Sequence, residues 1–468
     1  MHRIAISVLS GLGLLTLSGC GDGGSSESTS LTGLTSITGE TGDSNMSAEG
    51  NSAEGNSAEG NSAEEGTPGD GDGDTEPGDG DEASPGDGDG DDDGGNTTTT
   101  QKWDVLGVPD SSEQCGGLND DFEFSFLWAA NSSQGTISKI ETKTVTEVGR
   151  YVVRPDSQGS PSRTSVSLSG HVAVANRNGG VTKVYADEQF CEESNGMPGI
   201  QTSVNNQYLP WGTEECIAWH TPMNYQSQRP VAWGLGEQSG CSYVNEELWT
   251  SGTNNAGFID IYKLDGEDGS TIEMIQVPTN GNGLVASFYG IYGGAVDGNG
   301  DFWGSQLGTG GRLIRVNGDD MTWQTWSTPP GPHWYGMTVD SDGYVWLCSQ
   351  TAGRFDPNTE QWQTAAVGGY TGCMADAGED GLLWMSNGQG VVGVNRETLQ
   401  VEKMWQAGGS YGISVDFEGY VWAVASGSTA SKIDPVTGQF WTYNGLVGAY
   451  TYSDMTGYAL SNVGTPSG

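Results

Sequence analysis

Val339-Asp340-Ser-Asp-Gly343-Tyr-Val-Trp346 decides how this chain is read. An apolar residue runs into Asp, the chain turns at Gly, and an apolar strand carrying Trp follows. The pattern recurs at Val296-Asp297-Gly-Asn-Gly300-Asp-Phe-Trp303 and at Val415-Asp416-Phe-Glu-Gly419-Tyr-Val-Trp422. A fourth copy runs from Ala375-Asp376 through a longer turn at Gly381 to Leu383-Trp384. The spacing of about 40 residues is the period of a β-propeller blade. Each copy can bury its apolar face only against the next, so the chain reads as a ring, with any site where the blades converge.

The Trp strand and its successor can be followed upstream. Phe126-Leu127-Trp128 leads to Gly135 and Lys139-Ile140, His171 to Asn176 leads to Gly180 and Lys183-Val184, and Glu247-Leu248-Trp249 leads to Phe258 and Ile261-Tyr262. With the four full cassettes this makes seven blades. Later third strands end in Arg354-Phe355-Asp356-Pro357 and Lys432-Ile433-Asp434-Pro435, where Pro cannot donate to a ladder. Outer strands carry Trp323, Trp326, Trp362, Trp405 and Trp441. The C-terminus begins an eighth copy, Ser453-Asp454-Met-Thr-Gly457-Tyr458, and stops. The first copy has no inner strand before it, so Tyr450–Ser453 is expected to supply one and close the ring; the alternative is a decaying repeat that stays loose.

The first 20 residues read as an export signal: Arg3, an apolar run from Ile4 to Leu17, then Leu17-Ser18-Gly19-Cys20. That exit resembles the bacterial lipobox, which implies cleavage before Cys20 and lipid on its thiol. An ordinary secretory signal is the alternative; a spanning helix would need about 20 apolar residues. Gly21, not Asp, follows the Cys, which favours the outer membrane or cell surface. Residues 21–101 hold 21 carboxylates and no Lys or Arg, including near-copies of Asn-Ser-Ala-Glu-Gly and a Gly-Asp run from Gly69. Such a stretch has little to bury and repels itself, so a disordered tether is expected. Collection of calcium by the Gly-Asp run is the alternative, although no closing Glu at loop spacing is visible.

Residues 102–468 keep 40 acidic against 16 basic residues, a net charge near −24. Nucleic acid is therefore excluded as a partner. Abundant Gly, evenly spread aromatics and no amphipathic helical spacing give an all-β, seven-bladed propeller, expected to be monomeric. Beyond Cys20 six Cys remain, an even number that in an exported chain favours disulfides. The preferred set is Cys191–Cys216, Cys348–Cys373 and Cys115–Cys241. Cys373 stands where other blades have Met337 and Ile413, so a buried free thiol is its alternative. No Cys-x-x-Cys occurs and three His lie outside the signal, so no metal site is expected. Of these, His171 is expected on the surface before a strand, and His220 in a structural role.

The order of Gly, Asp, Gly turn, Trp strand and Lys432-Ile433-Asp434-Pro435-Val-Thr437-Gly438 resembles the virginiamycin B lyase (streptogramin lyase) group of seven-bladed propellers. The resemblance covers about 290–460 well and 120–290 weakly. It implies a carbon–oxygen lyase opening a cyclic peptide ester by magnesium-assisted β-elimination, with a Pro-His-Gly base motif and a Glu after the blade Trp. This chain departs at those places. Its inner strands begin Tyr292-Gly293, Tyr335-Gly336, Thr371-Gly372 and Tyr411-Gly412, and Pro332-His333 precedes Gly336 by two extra residues. After the Trp stand Gln306, Ser349, Gln350, Asn387 and Ala425, none a carboxylate.

The leading functional reading is therefore a lipid-anchored surface propeller that binds or scaffolds without covalent chemistry and needs no cofactor. Magnesium enters only with the lyase alternative. The expected ligand site is the channel mouth, with Tyr292, Gln306, His333, Tyr335, Gln350 and Tyr411. Such a set suits a sugar, a peptide or a segment of a surface protein.

Overall fold

The computed structural model describes residues 126–463, apart from 240–241, 332, 376–380 and 453. Cys20, the tether, the Cys115–Cys241 pairing and Asp376 lie outside these residues. The chain divides into two units after Gly95, and every described residue belongs to the second.

Among the described residues seven antiparallel sheets follow one another as blades, and a separate two-stranded pair, Glu237–Ser239 with Ser242–Val244, falls within the span of blade 3. Blade 1 has Phe126–Asn131, Thr136–Glu141 and Thr146–Val152. Blades 2 and 3 start at inner strands Pro161–Val166 and Ser227–Trp233. Blades 4 to 7 start at Gly293–Val296, Gly336–Val339, Cys373–Ala375 and Gly412–Val415. Each of blades 2 to 7 has four strands.

The cassette works through one carboxylate. In three blades the Asp accepts the indole N–H of the Trp six residues on: Trp303 to Asp297 at 2.7 Å, Trp346 to Asp340 and Trp422 to Asp416 at 2.8 Å. The other oxygen accepts backbone N–H groups of the turn, as at Asn299 and Asp301. The turn closes through Gly300, Gly343 and Gly419, all at φ near +80°, where a side chain would be strained. The fixed indole then fills the joint between blades. Trp303 packs with Val339, Val345 and Phe355 of the next blade, and Trp422 with Leu127, Ala129 and Ile140 of blade 1. Burying one such ring stabilises the joint by roughly 2–3 kcal/mol.

The tail closes the ring. Ala449 bridges Asn131, the Tyr450 N–H donates to the Ala130 carbonyl at 3.1 Å, and the Trp128 N–H donates to the Met455 carbonyl at 2.9 Å. These contacts run along the inner edge of blade 1 as an irregular segment rather than a continuous strand. A one-turn helix, Tyr458–Ser461, follows Gly457.

Among the described residues two disulfides are present, Cys191–Cys216 and Cys348–Cys373. The first staples the insertion after Val184, whose backbone is organised by Glu215: its carboxylate accepts N–H groups of Ser194, Asn195 and Gln201. His171 is not a surface residue. It is buried beneath this insertion, edge-on to Tyr185 and Phe190 at about 5 Å. Burial, helped by Lys183, lowers its pKa to about 3. His220 bonds Thr182 at 2.8 Å and meets Trp211 edge-on.

Candidate functional site

The Tyr-Gly and Thr-Gly pairs at the starts of the inner strands have a steric origin. A methyl group on Gly412 would stand 2.1 Å from the Thr451 carbonyl oxygen. On Gly336 it would meet the Thr371 oxygen at 2.5 Å, and on Gly372 the Tyr411 oxygen at 2.7 Å. Only Gly lets neighbouring blades approach this closely around the axis. The residue before each Gly is thereby carried to the axis itself.

Four phenols from four blades meet there. Tyr292 donates to Tyr335 at 2.7 Å and shares a hydrogen bond of 2.7 Å with Tyr450. Tyr335 is also hydrogen-bonded to Tyr450 and accepts from Tyr411. Blade 6 contributes Thr371, which donates to the Tyr411 carbonyl at 2.5 Å. Tyr452 lies deeper and stacks on Tyr292, with ring centroids 5.7 Å apart.

Blades 2 and 3 bring arginines instead. Arg163 is 1% exposed and lies 3.7 Å from the Tyr452 ring centroid and 5.3 Å from that of Tyr292. Its Nη1 donates to the Tyr452 carbonyl at 3.1 Å, while Nε and Nη2 are buried with no hydrogen-bond partner among the described residues. Arg229 sits 4.7 Å from the Tyr289 ring and 4.9 Å from that of Tyr292, and Arg177 sits 4.7 Å from that of Tyr450. Cation–π contacts of this kind contribute about 0.5–2 kcal/mol each. A buried donor left without a partner costs about 1–3 kcal/mol, so Arg163 is held at a penalty.

The phenols differ in acidity. Burial, reinforced by the neighbouring phenols, pushes Tyr292 and Tyr335 well above the usual range for tyrosine. Burial also raises Tyr411. Tyr450 is the exception: burial opposes its ionisation, but the hydroxyls of Tyr292, Tyr335 and Tyr411 converge on it and bring it down to about 8. Around the mouth, Phe288, Tyr289 and Tyr370 are exposed. Tyr289 meets Tyr292 edge-on at 5.7 Å, and Tyr370 meets Tyr411 at 5.9 Å. Farther along the same inner strands, Ser165, Thr338, Met374 and Asp454 line a cavity of about 40 Å³.

Of the residues expected at the mouth, Tyr292, Tyr335 and Tyr411 come together and three others do not join them. Gln306 is buried, with its amide spent on both backbone groups of Val285, at 2.9 and 2.7 Å. Gln350 is exposed in a turn, and its carbonyl accepts from Val367. The His333 ring is exposed near Gly308. Sequence reading missed Arg163, Arg177, Arg229, Tyr450 and Tyr452. For Tyr450 a signal existed: Tyr450-Thr451 lies beside Tyr411-Gly412 as the next Tyr-first pair around the ring.

A magnesium ion does not fit this mouth. Magnesium takes carboxylate oxygens and water, whereas the described residues here offer phenols, a committed amide and three guanidinium groups that repel a cation. No group of three or more His, Cys, Asp or Glu among the described residues could hold a metal.

No family model matches the chain, and no curated protein matches it. Among solved structures it is similar to virginiamycin B lyase from Staphylococcus aureus, at 16% identity and TM-score 0.40, over 60% of this chain and 83% of that one. It is also similar to AztD from Citrobacter koseri, at 12% identity and TM-score 0.42, over 69% and 95%. A protein of unknown function from Bacteroides caccae is similar at 11% identity and TM-score 0.40, over 60% and 93%. The likeness is one of fold.

Proposed function

We propose that this protein is a surface-displayed binding propeller, held to the membrane by lipid on Cys20 and extended from it by the acidic 21–101 tether. Its axial mouth takes a small polar ligand of sugar or peptide type without covalent chemistry. One observation carries this reading: four tyrosine hydroxyls from four blades converge at the axis, framed by the exposed rings of Phe288, Tyr289 and Tyr370. Hydroxyls that both donate and accept suit a polyol or an amide, and open aromatic faces suit the apolar side of a sugar or peptide. Three of the four phenols are held above the usual range and remain neutral, which favours hydrogen bonding over proton abstraction.

The test is an array of glycans and short peptides probed with the labelled protein. Selective capture by wild type, abolished in the Tyr335→Ala/Tyr411→Ala variant with its β-sheet circular dichroism intact, is the expected result. Capture of the same ligands by both proteins would place binding elsewhere. For the anchor, Cys20→Ser is expected to move the protein from the membrane fraction to the soluble one and to abolish incorporation of a palmitate analogue. Unchanged fractionation and labelling would remove the lipid from the account.

A further inference from the structure

We infer that the axial mouth recognises an oxyanion, a carboxylate or phosphate carried on the ligand, through Arg163 and Arg229. This rests on the reading of the mouth as a ligand site and specifies what that ligand must carry.

The charge pattern points there. The propeller region is strongly acidic, and several of its arginines have carboxylate partners: Arg150 with Glu147, Arg154 with Asp156, Arg315 with Asp301, Arg396 with Asp340 and Asp342. Arg163, Arg177 and Arg229 have none among the described residues, although carboxylates are plentiful. All three instead face the rings of one tyrosine cluster. A guanidinium stays charged in any protein environment, so burial cannot be relieved by losing a proton. Rings attract it but do not take up its in-plane N–H groups: Arg177 gives two of its own to the Ser160 hydroxyl and Arg229 gives Nε to that of Ser227. Nε and Nη2 of Arg163 are two such donors, buried and unmatched, and a pair of donors in one guanidinium plane is the fork that carboxylate and phosphate oxygens accept.

Access runs through the phenols. Tyr335, Tyr411 and Tyr450 are only half-buried, whereas Arg163 and Tyr452 lie deeper. Arg229 stands against Tyr289 of the rim and meets the anion first. A shift of the phenols then opens the way to Arg163, and their hydroxyls can donate to the same anion. The acidic exterior repels anions in general, so the site selects a ligand whose neutral part is also held, by the rim.

The experiment is calorimetric titration of the full chain with glucuronate, glucose 6-phosphate and neutral glucose. One or both anions are expected to bind at one site, at least ~10-fold tighter than glucose. Preference for glucuronate or for the phosphate identifies the anion's source. Arg163→Gln and Arg229→Gln are each expected to weaken that binding at least ~10-fold. Should Arg163→Gln fail to fold, the less buried Arg229→Gln carries the test. A second readout separates ligand contact from mere structural support: a bound anion should move the Tyr450 phenolate absorbance step to higher pH. Glucose binding as tightly as the anions would overturn the oxyanion inference and leave the binding function standing. No binding by either anion, or binding untouched by Arg229→Gln, would overturn it as well, and the array then decides the broader function alone.

Discussion

Arg163 and Tyr452 are 289 positions apart in sequence, yet the guanidinium lies 3.7 Å from the phenol ring and donates to that residue's own carbonyl. Tyr452 belongs to the tail that closes the ring, and Arg163 to the inner strand of blade 2. Closure and site are thus one construction: the axial cluster cannot assemble until the tail has docked on blade 1.

Removing residues 447–468 should therefore cost stability and erase the site together. The tail's Ala449 and Met455 share a core cluster with Leu127, Ala129 and Trp422, so a loss of at least about 3 kcal/mol is expected by denaturant titration. A milder probe is Gly412→Ala, whose methyl would press on the Thr451 carbonyl. It should destabilise far more than Gly300→Ala, which meets no atom within 4 Å and carries only the cost of its φ of +80°, about 1 kcal/mol. Equal midpoints for the two variants would contradict the tail's placement.

Asp297 accepts from the Trp303 indole and from two backbone N–H groups. Asp297→Ala leaves the buried Trp303 indole and the N–H of buried Asp301 without this acceptor, while the N–H of exposed Asn299 can turn to water. The expected loss is about 2–4 kcal/mol, read as a lowered denaturant midpoint with unchanged slope. A loss below about 0.5 kcal/mol would mean that the indole, not its anchor, fixes the joint.

Asp454 is held by backbone N–H groups of Thr456, Gly457 and Leu460, with part of its surface on the axial cavity. Burial outweighs those bonds and raises its pKa from 3.8 to about 6. The folded state then binds a proton more tightly than the unfolded chain. Stability from this group is present below pH 4 and is lost as pH rises through 6, a change of up to about 3 kcal/mol. Asp454→Asn should remove that slope: the stability difference between variant and wild type should grow in the variant's favour from pH 4 to 7. A difference that does not change over that window would refute the assignment.

Tyr450 should ionise ahead of the other tyrosines. Near-ultraviolet absorbance titration is expected to show a tyrosinate step near pH 8, equivalent to a small part of the chain's 17 tyrosines. The step should vanish in Tyr450→Phe. Its persistence in that variant would assign it to another phenol.

What the sequence made legible follows from where its signals are local. The Asp–Gly–Trp cassette is closed by hydrogen bonds within six residues, so its repeat announces the blades. The Tyr-Gly pairs are equally local and place three of the axial phenols. The inner strands of blades 2 and 3 carry no Gly at that point. Their Arg163 and Arg229 look like strand residues of any sheet, and only closure of the ring sets them against Tyr292. Gln306 and Gln350 illustrate the converse. They follow their blade Trp by three and four residues respectively, and one is claimed by the Val285 backbone while the other is left in solvent, through contacts with chain that no repeat describes. His171 is buried for the same reason: its cover comes from the Cys191–Cys216 insertion, which has no counterpart in other blades.

Whether the axial tyrosine mouth binds a ligand can be read from a thermal-shift screen of neutral sugars, acidic sugars and short peptides against wild type and Tyr411→Ala. If the axial mouth is a ligand site, at least one ligand class raises the unfolding temperature of wild type and leaves that of the variant unmoved. Ligands that stabilise both proteins alike, or none that stabilises wild type, would contradict it.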